Sequence, residues 1–200
     1  MAVQNAPKTI QITDPPFAAS FFGSPRWAWL WLIARLYVGY EWITAGLEKL
    51  QSPAWAQTGL ALKGYWASAV AIPAAPARPA ITYGWYRTFL LALLNAQSYV
   101  WFSKLVIAGE LLVGIALILG AFVGVAAFLG GFMNWNYMLA GSASTNPVLL
   151  VIAIFLILAW KTAGWWGLDR FLLPMMGTPW RPGRLFSKGT VETPSPVQAS

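Results

Sequence analysis

The stretch FSKLVIAGELLVGIALILG, residues 102–120, runs without a break into AFVGVAAFLGGFMNWNYMLA, residues 121–140, and these two stretches decide the fold. Each is close to the roughly 20 apolar helical residues that a hydrocarbon core of about 30 Å requires. The junction Gly120-Ala121-Phe122-Val123-Gly124 has small residues at both ends, a spacing that permits a tight turn or a close helix contact. Two further stretches have the same character, Trp27 to Gly46 and Pro147 to about Ala163. The sequence therefore predicts an all-α integral membrane protein, an antiparallel bundle of four transmembrane helices with a long outer loop that contains an amphipathic helix.

The composition points the same way. Of 200 residues, 58% are hydrophobic and only 10% charged, with a mean hydropathy of +0.58, whereas soluble domains carry about 25% charged residues. Cys and His are both absent. That excludes disulfides, thiolate chemistry, zinc sites of the usual ligand types, iron–sulfur clusters and haem held through either residue. Any redox chemistry must then use a diffusible cofactor or a partner. The net charge of +7 reads as the cationic loops of a membrane protein, with no nucleic acid implied.

Three segments follow from the pattern. Residues 1–26 hold Pro7, Pro15, Pro16 and Pro25, lack the layout of a cleaved signal, and read as a cytoplasmic lead segment. Residues 27–174 form the membrane domain. Residues 175–200 are rich in Pro, Ser and Thr and are expected to be an unstructured cytoplasmic tail. Four spans put both termini on one side, where Lys8, Arg26, Arg170, Arg181, Arg184 and Lys188 lie near the spans; the termini are placed inside on that asymmetry. The segment of about residues 47–100 then lies outside. Within it, Tyr83 to Tyr99 carries Trp85, Phe89, Ala92, Leu93 and Ala96 at helical spacing, an amphipathic helix that can lie on the membrane surface or cap the bundle.

Ionisable groups inside spans are rare and usually face the bundle interior. At 1.5 Å per residue, Arg35 falls about 12 Å and Glu41 about 21 Å from the cytoplasmic end. On the same ruler Glu110 and Lys104 of the descending second helix come out at about 18 and 27 Å, and Asn134 and Asn136 at about 20 and 22 Å. Six polar side chains are thus expected to cluster in the outer half. Two readings stand: a structural network that sets helix register, or a headgroup site for a quinone with its proton path. Arg35, Lys104 or an Asn would donate to a quinone carbonyl, and Glu41 or Glu110 would pass protons. Trp42, Trp101, Trp135 and Tyr137 either flank the ring or belong to the core and interfacial belt.

The outer turn GSASTNP, residues 141–147, is the most distinctive heptad in the chain. Asn146 suits an N-cap and Pro147 the first helical position, which can be its whole explanation. The same geometry leaves free backbone N–H groups beside Ser142, Ser144 and Thr145, a combination suited to a small oxyanion.

Four segments, GYEWITAGLEKL (39–50), AGELLVGIALILG (108–120), NWNYMLAGSASTNP (134–147) and GWWGLDRFLLP (164–174), resemble the DoxX/DoxD family of membrane proteins over roughly residues 27–174. The Ser/Asn turn and the Gly-Leu-Asp-Arg ending resemble the DoxD branch, membrane subunits of thiosulfate:quinone oxidoreductase. The resemblance implies a multi-pass protein of a prokaryotic cytoplasmic membrane, a quinone as electron acceptor, thiosulfate oxidised outside, and a second protein subunit as partner. It would give substrate binding to Ser142, Ser144, Thr145, Asn146, Asn134 and Asn136, and quinone and proton handling to Arg35, Glu41, Lys104 and Glu110. A non-catalytic accessory subunit of a larger respiratory or photosynthetic complex is the rival. A small-solute transporter is a third reading, weakened by the lack of an internal repeat.

Overall fold

A computed structural model describes residues 14–177. Among these residues the chain is helical, without strands. The helices are α1 (Pro16–Gly23), α2 (Ala28–Gln51), α3 (Pro53–Ala56), α4 (Leu60–Val70), α5 (Gly84–Asn95), α6 (Tyr99–Leu119), α7 (Val123–Leu139), α8 (Asn146–Leu158) and α9 (Asp169–Met176). The expected tail beyond residue 177, and the lead segment before residue 14, lie outside the described residues.

Helices α2, α6, α7 and α8 form the expected bundle. Contacts between α2 and α6 run in opposite chain order: the Arg35 side chain reaches Leu117 and Ile118, Gly39 meets Gly114 and Ile118, and Gly46 meets Leu111. Glycines make this packing close. A methyl on Gly114 would stand 2.9 Å from the Gly39 carbonyl oxygen and 2.6 Å from Ile43 Cγ1. Short connections at 120–122 and 140–145 make α6, α7 and α8 successive antiparallel neighbours. The core they enclose centres on Trp31, Val38, Trp42, Val113, Leu117 and Leu156. Outward, large apolar residues such as Leu36, Leu105, Leu112, Val125, Phe128 and Ile154 stay exposed.

Membrane spans are shown less fully than the bundle. Among the described residues α6 alone is both long and apolar enough to cross a membrane. Helix α2 is longer, at 24 residues, but carries Arg35, Glu41, Glu48 and Lys49. Helices α7 and α8 have 17 and 13 residues.

Two boundaries depart from the sequence reading. The first helix does not stop at Gly46 but continues to Gln51, where Ser52 turns extended and Pro53 starts a new helix; Pro cannot extend the preceding ladder. The lead segment is more than a leader. Helix α1 packs Phe21 and Phe22 on Trp31 at 5.0 and 5.8 Å between ring centroids, and Thr162 Oγ1 donates to the Phe22 carbonyl at 2.8 Å.

The segment of about residues 47–100, expected as an outer loop, contributes most of a second small core. Leu62, Trp66, Val70, Ile81, Tyr86 and Leu90 pack with Tyr99 and Ala140. Arg87 Nε donates to the Val70 carbonyl at 2.7 Å, joining α5 to the end of α4. The amphipathic helix therefore caps the bundle. It is shorter than the expected Tyr83–Tyr99, because Gln97 takes a left-handed φ of 54° and breaks it from α6.

Candidate functional site

At the end of the bundle where α2 stops, a cleft of about 290 Å³ opens between α2, α6, α7 and the turn before α8. Its floor is a three-member polar unit. Lys49 Nζ lies 2.9 Å from both carboxylate oxygens of Glu110, and Tyr137 Oη donates to Glu110 Oε1 at 2.7 Å. The Glu110 side chain is 1% exposed and that of Lys49 19% exposed. A buried carboxylate without a partner is costly, and a charge-assisted bond on each side removes that cost. The aromatic wall contributes as well: the Lys49 ammonium lies 5.4 Å from the Trp55 ring centroid and 6.0 Å from that of Tyr137, within range of cation–π attraction.

The rim is formed by Ser142, Ser144, Thr145 and Asn146, with Glu41 and Trp42 opposite. The structure thus brings Glu41 and Glu110 together with the four turn residues in one cleft. Details of the turn differ from the expectation. Helix α8 begins one residue early, with Asn146 inside it and Thr145 at the N-cap without a side-chain capping bond. Asn146 Nδ2 instead donates to the Ser142 carbonyl at 3.1 Å, closing the turn on itself. Ser144 holds a left-handed φ of 41°. Burial raises the pKa of the Tyr65 phenol, opposed by the adjacent Ser142 side chain.

Four expected members of the cluster lie elsewhere. Arg35 is a correction: it turns to the opposite end of the bundle, where Nη1 donates to the Leu117 and Ile118 carbonyls at 2.6 Å each and Nη2 to the Trp166 carbonyl at 2.9 Å. It closes the C-terminus of α6, whose last carbonyls have no partner within the helix. Lys104 is a second correction, since it is exposed and does not line the cleft; on α6 it faces away from the side that carries Ser103, Ile107 and Glu110. Asn134 is fully buried in the bundle with neither amide atom hydrogen-bonded among the described residues. Asn136 Nδ2 donates back to the Phe132 carbonyl at 2.8 Å, and Tyr86 Oη donates to the Asn136 carbonyl at 3.0 Å. Burial pushes the Tyr86 hydroxyl up to about 12. Trp101 and Trp135 are exposed, so of the four aromatic candidates Trp42 and Tyr137 reach the cleft.

The Gly-Leu-Asp-Arg ending has a structural task. Asp169 accepts from the Phe122 and Val123 backbone N–H groups at 2.5 and 2.9 Å, capping α7 from a distant part of the chain. Burial raises its pKa, opposed by those two bonds and by Arg35. The approach is tight: Leu168 and Asp169 N–H groups donate to the Leu119 and Gly120 carbonyls at 3.1 and 2.8 Å.

Lys49, Trp55 and Tyr65 line the cleft without being among the sequence candidates, because all three fall in the stretch that reads as the outer loop. For Lys49 the signal was present: Glu41, Ala45 and Lys49 recur every four residues with Trp42 beside them, and no breaker stands before Ser52-Pro53. Among the described residues, no charged group besides Glu41, Lys49 and Glu110 lines the cleft, and no His/Cys/Asp/Glu group able to hold a metal occurs. No protein-family model, curated protein or solved structure matches the chain.

Proposed function

We propose that the chain is a multi-pass subunit of a quinone-linked oxidoreductase in a prokaryotic cytoplasmic membrane, with the cleft as the site for a small oxyanion donor, thiosulfate by the resemblance. One observation carries this reading: a cleft that joins the Lys49–Glu110–Tyr137 unit to a hydroxyl-lined turn at the start of α8. Hydroxyls and a helix N-terminus favour an anion, and Lys49 adds a nearby positive charge. The four-span reading is supported by the apolar residues exposed around the bundle, by the length of α6, and by the placement of polar side chains at its two ends.

Two thiosulfate dianions each lose one electron and join through a new S–S bond. One quinone takes up those two electrons and two protons and leaves as quinol. Glu110 and Tyr137 form the hydrogen-bonded pair able to relay protons, with Lys49 holding the carboxylate in place. The chain has no Cys or His centre to store an electron, so donor and acceptor approach each other here or a partner subunit bridges them.

The test is thiosulfate-dependent quinone reduction by the full chain reconstituted in lipid with its native neighbours. Activity is expected, with a rate about a hundredfold or more lower in Glu110→Gln, the range for losing one acid–base group. Unchanged turnover with unchanged pH dependence in that variant overturns the proton role; no turnover in any preparation overturns the oxidoreductase reading.

A second reading has its own observation. The single cation of the cleft is already neutralised by Glu110, and Glu41 has no ion-pair partner among the described residues. That balance suits a self-contained knot in a non-catalytic accessory subunit. Under the first reading Glu41→Gln tightens oxyanion binding by removing a repulsive charge, whereas under the second no oxyanion binding is measurable before or after the change.

A further inference from the structure

A second cavity, of about 190 Å³, lies behind the cleft between α4, α5, α6 and α7. Tyr65 and Tyr137 line both spaces, their rings edge to face with centroids 6.3 Å apart. A wall two side chains thick therefore divides a polar cleft from an apolar cavity. Among the described residues, none that lines the cavity is charged; Leu62, Trp66, Leu90, Phe102 and Met133 make up much of the lining. Its side chains able to hydrogen-bond are Tyr65, Trp66, Tyr86, Asn136 and Tyr137. Of these, Tyr65 makes a long bond, 3.4 Å to the Tyr137 carbonyl, and sits beside the Ser142 side chain. Phe89 and Phe132 also line the cavity, and they are 46% and 52% exposed. The cavity thus reaches the surface on the apolar flank of the bundle.

We infer that this cavity, and not the cleft, takes the ring of a lipid-borne quinone; the inference rests on the oxidoreductase reading above. An uncharged, aromatic lining excludes a dianion, whose desolvation nothing here offsets. A flat ring with two carbonyl acceptors and an apolar tail fits the same lining. The ring stacks among aromatic side chains, a carbonyl accepts from the Tyr65 hydroxyl, and the tail leaves past Phe89 and Phe132. Pockets of this kind are apolar with a few placed polar groups. The two substrates then lie on opposite sides of the Tyr65–Tyr137 wall. The two electrons released as the S–S bond forms cross that wall, and the two protons taken up by the quinone come from the Glu110 side.

The test uses the full chain in lipid vesicles, a photoreactive azidoquinone, and peptide mass mapping. Adducts are expected on the 62–66, 86–93 and 102–106 segments. Val106→Trp, which adds an indole to the lining, is expected to weaken quinone labelling by about tenfold or more while thiosulfate binding, measured by calorimetry, stays unchanged. Helical circular dichroism and a melting temperature close to those of the unchanged chain, measured on the same Val106→Trp preparation, guard against misfolding of that variant. Adducts confined to the cleft residues, or labelling unchanged in Val106→Trp, overturn the inference. Thiosulfate-dependent quinone reduction without cavity adducts overturns it alone and leaves the oxidoreductase reading standing. Cavity adducts without thiosulfate binding support the quinone site and overturn the donor assignment.

Discussion

Arg35 and Glu110 are both buried charges on bundle helices, 2% and 0% exposed, yet their partners differ in kind. Glu110 is paired with an ammonium and a phenol, whereas Arg35 is spread over three backbone carbonyls near Asp169. Removing one partner of a buried charge leaves the remainder exposed to the full desolvation cost, typically 3–5 kcal/mol. Arg35→Met is therefore expected to destabilise the fold by about 3 kcal/mol without changing ligand binding at the far cleft, which thermal unfolding in detergent and calorimetry measure separately. Lys49→Met is expected to do the reverse in kind, lowering both stability and oxyanion binding, because it strips Glu110 of its counter-charge within the cleft itself. Sequence heights placed Glu41 and Glu110 near each other and they do share a cleft. The same heights misplaced Arg35, because a ruler along the axis ignores both helix rotation and the reach of a long side chain.

At the scale of elements, close approach is set by small residues at a few crossings. Gly120 holds a left-handed φ of 68°, and a methyl there would lie 2.9 Å from both Arg35 Cζ and Gly167 Cα. Gly120→Ala meets a backbone penalty and a clash together, so a loss of about 2 kcal/mol is expected. The α2–α6 crossing gives an independent check. Gly114→Ala must push α2 away from α6, and because Lys49 and Glu110 stand on those two helices the ion pair lengthens. A fall in both melting temperature and oxyanion affinity is the expected result. A fall in melting temperature alone would mean that the cleft adjusts independently of the crossing. These glycines were visible in the sequence as small residues in apolar stretches. Which of them face each other was not, since that depends on how α2 and α6 are rotated about their own axes.

For the whole molecule, large apolar side chains stay exposed along the bundle helices, Leu112 and Ile154 among them, and the four-span reading expects lipid against them. The natural absence of Cys makes this directly measurable by single-cysteine labelling of the full chain in vesicles with a water-soluble maleimide. Leu112→Cys and Ile154→Cys, both on outward faces of the bundle, are expected to stay unlabelled, and Thr88→Cys on α5 to react. Labelling of all three at similar rates overturns the four-span reading.

Apolar periodicity in the sequence was enough to determine the four main helices and their order, because burying or lipid-exposing about 20 apolar residues leaves a chain few alternatives to helix. It also marked the turn at 141–147 and two of the acids that line the cleft. Only the tertiary structure decided that the segment after α2 folds as a second core, that Lys49 meets Glu110, and that Arg35 and Asp169 close the opposite end. The physical reason is common to all three. Each depends on which residues distant in sequence meet, and that is settled by helix rotation, side-chain reach and the need of every buried charge for a partner, none of which has a period that a linear pattern records.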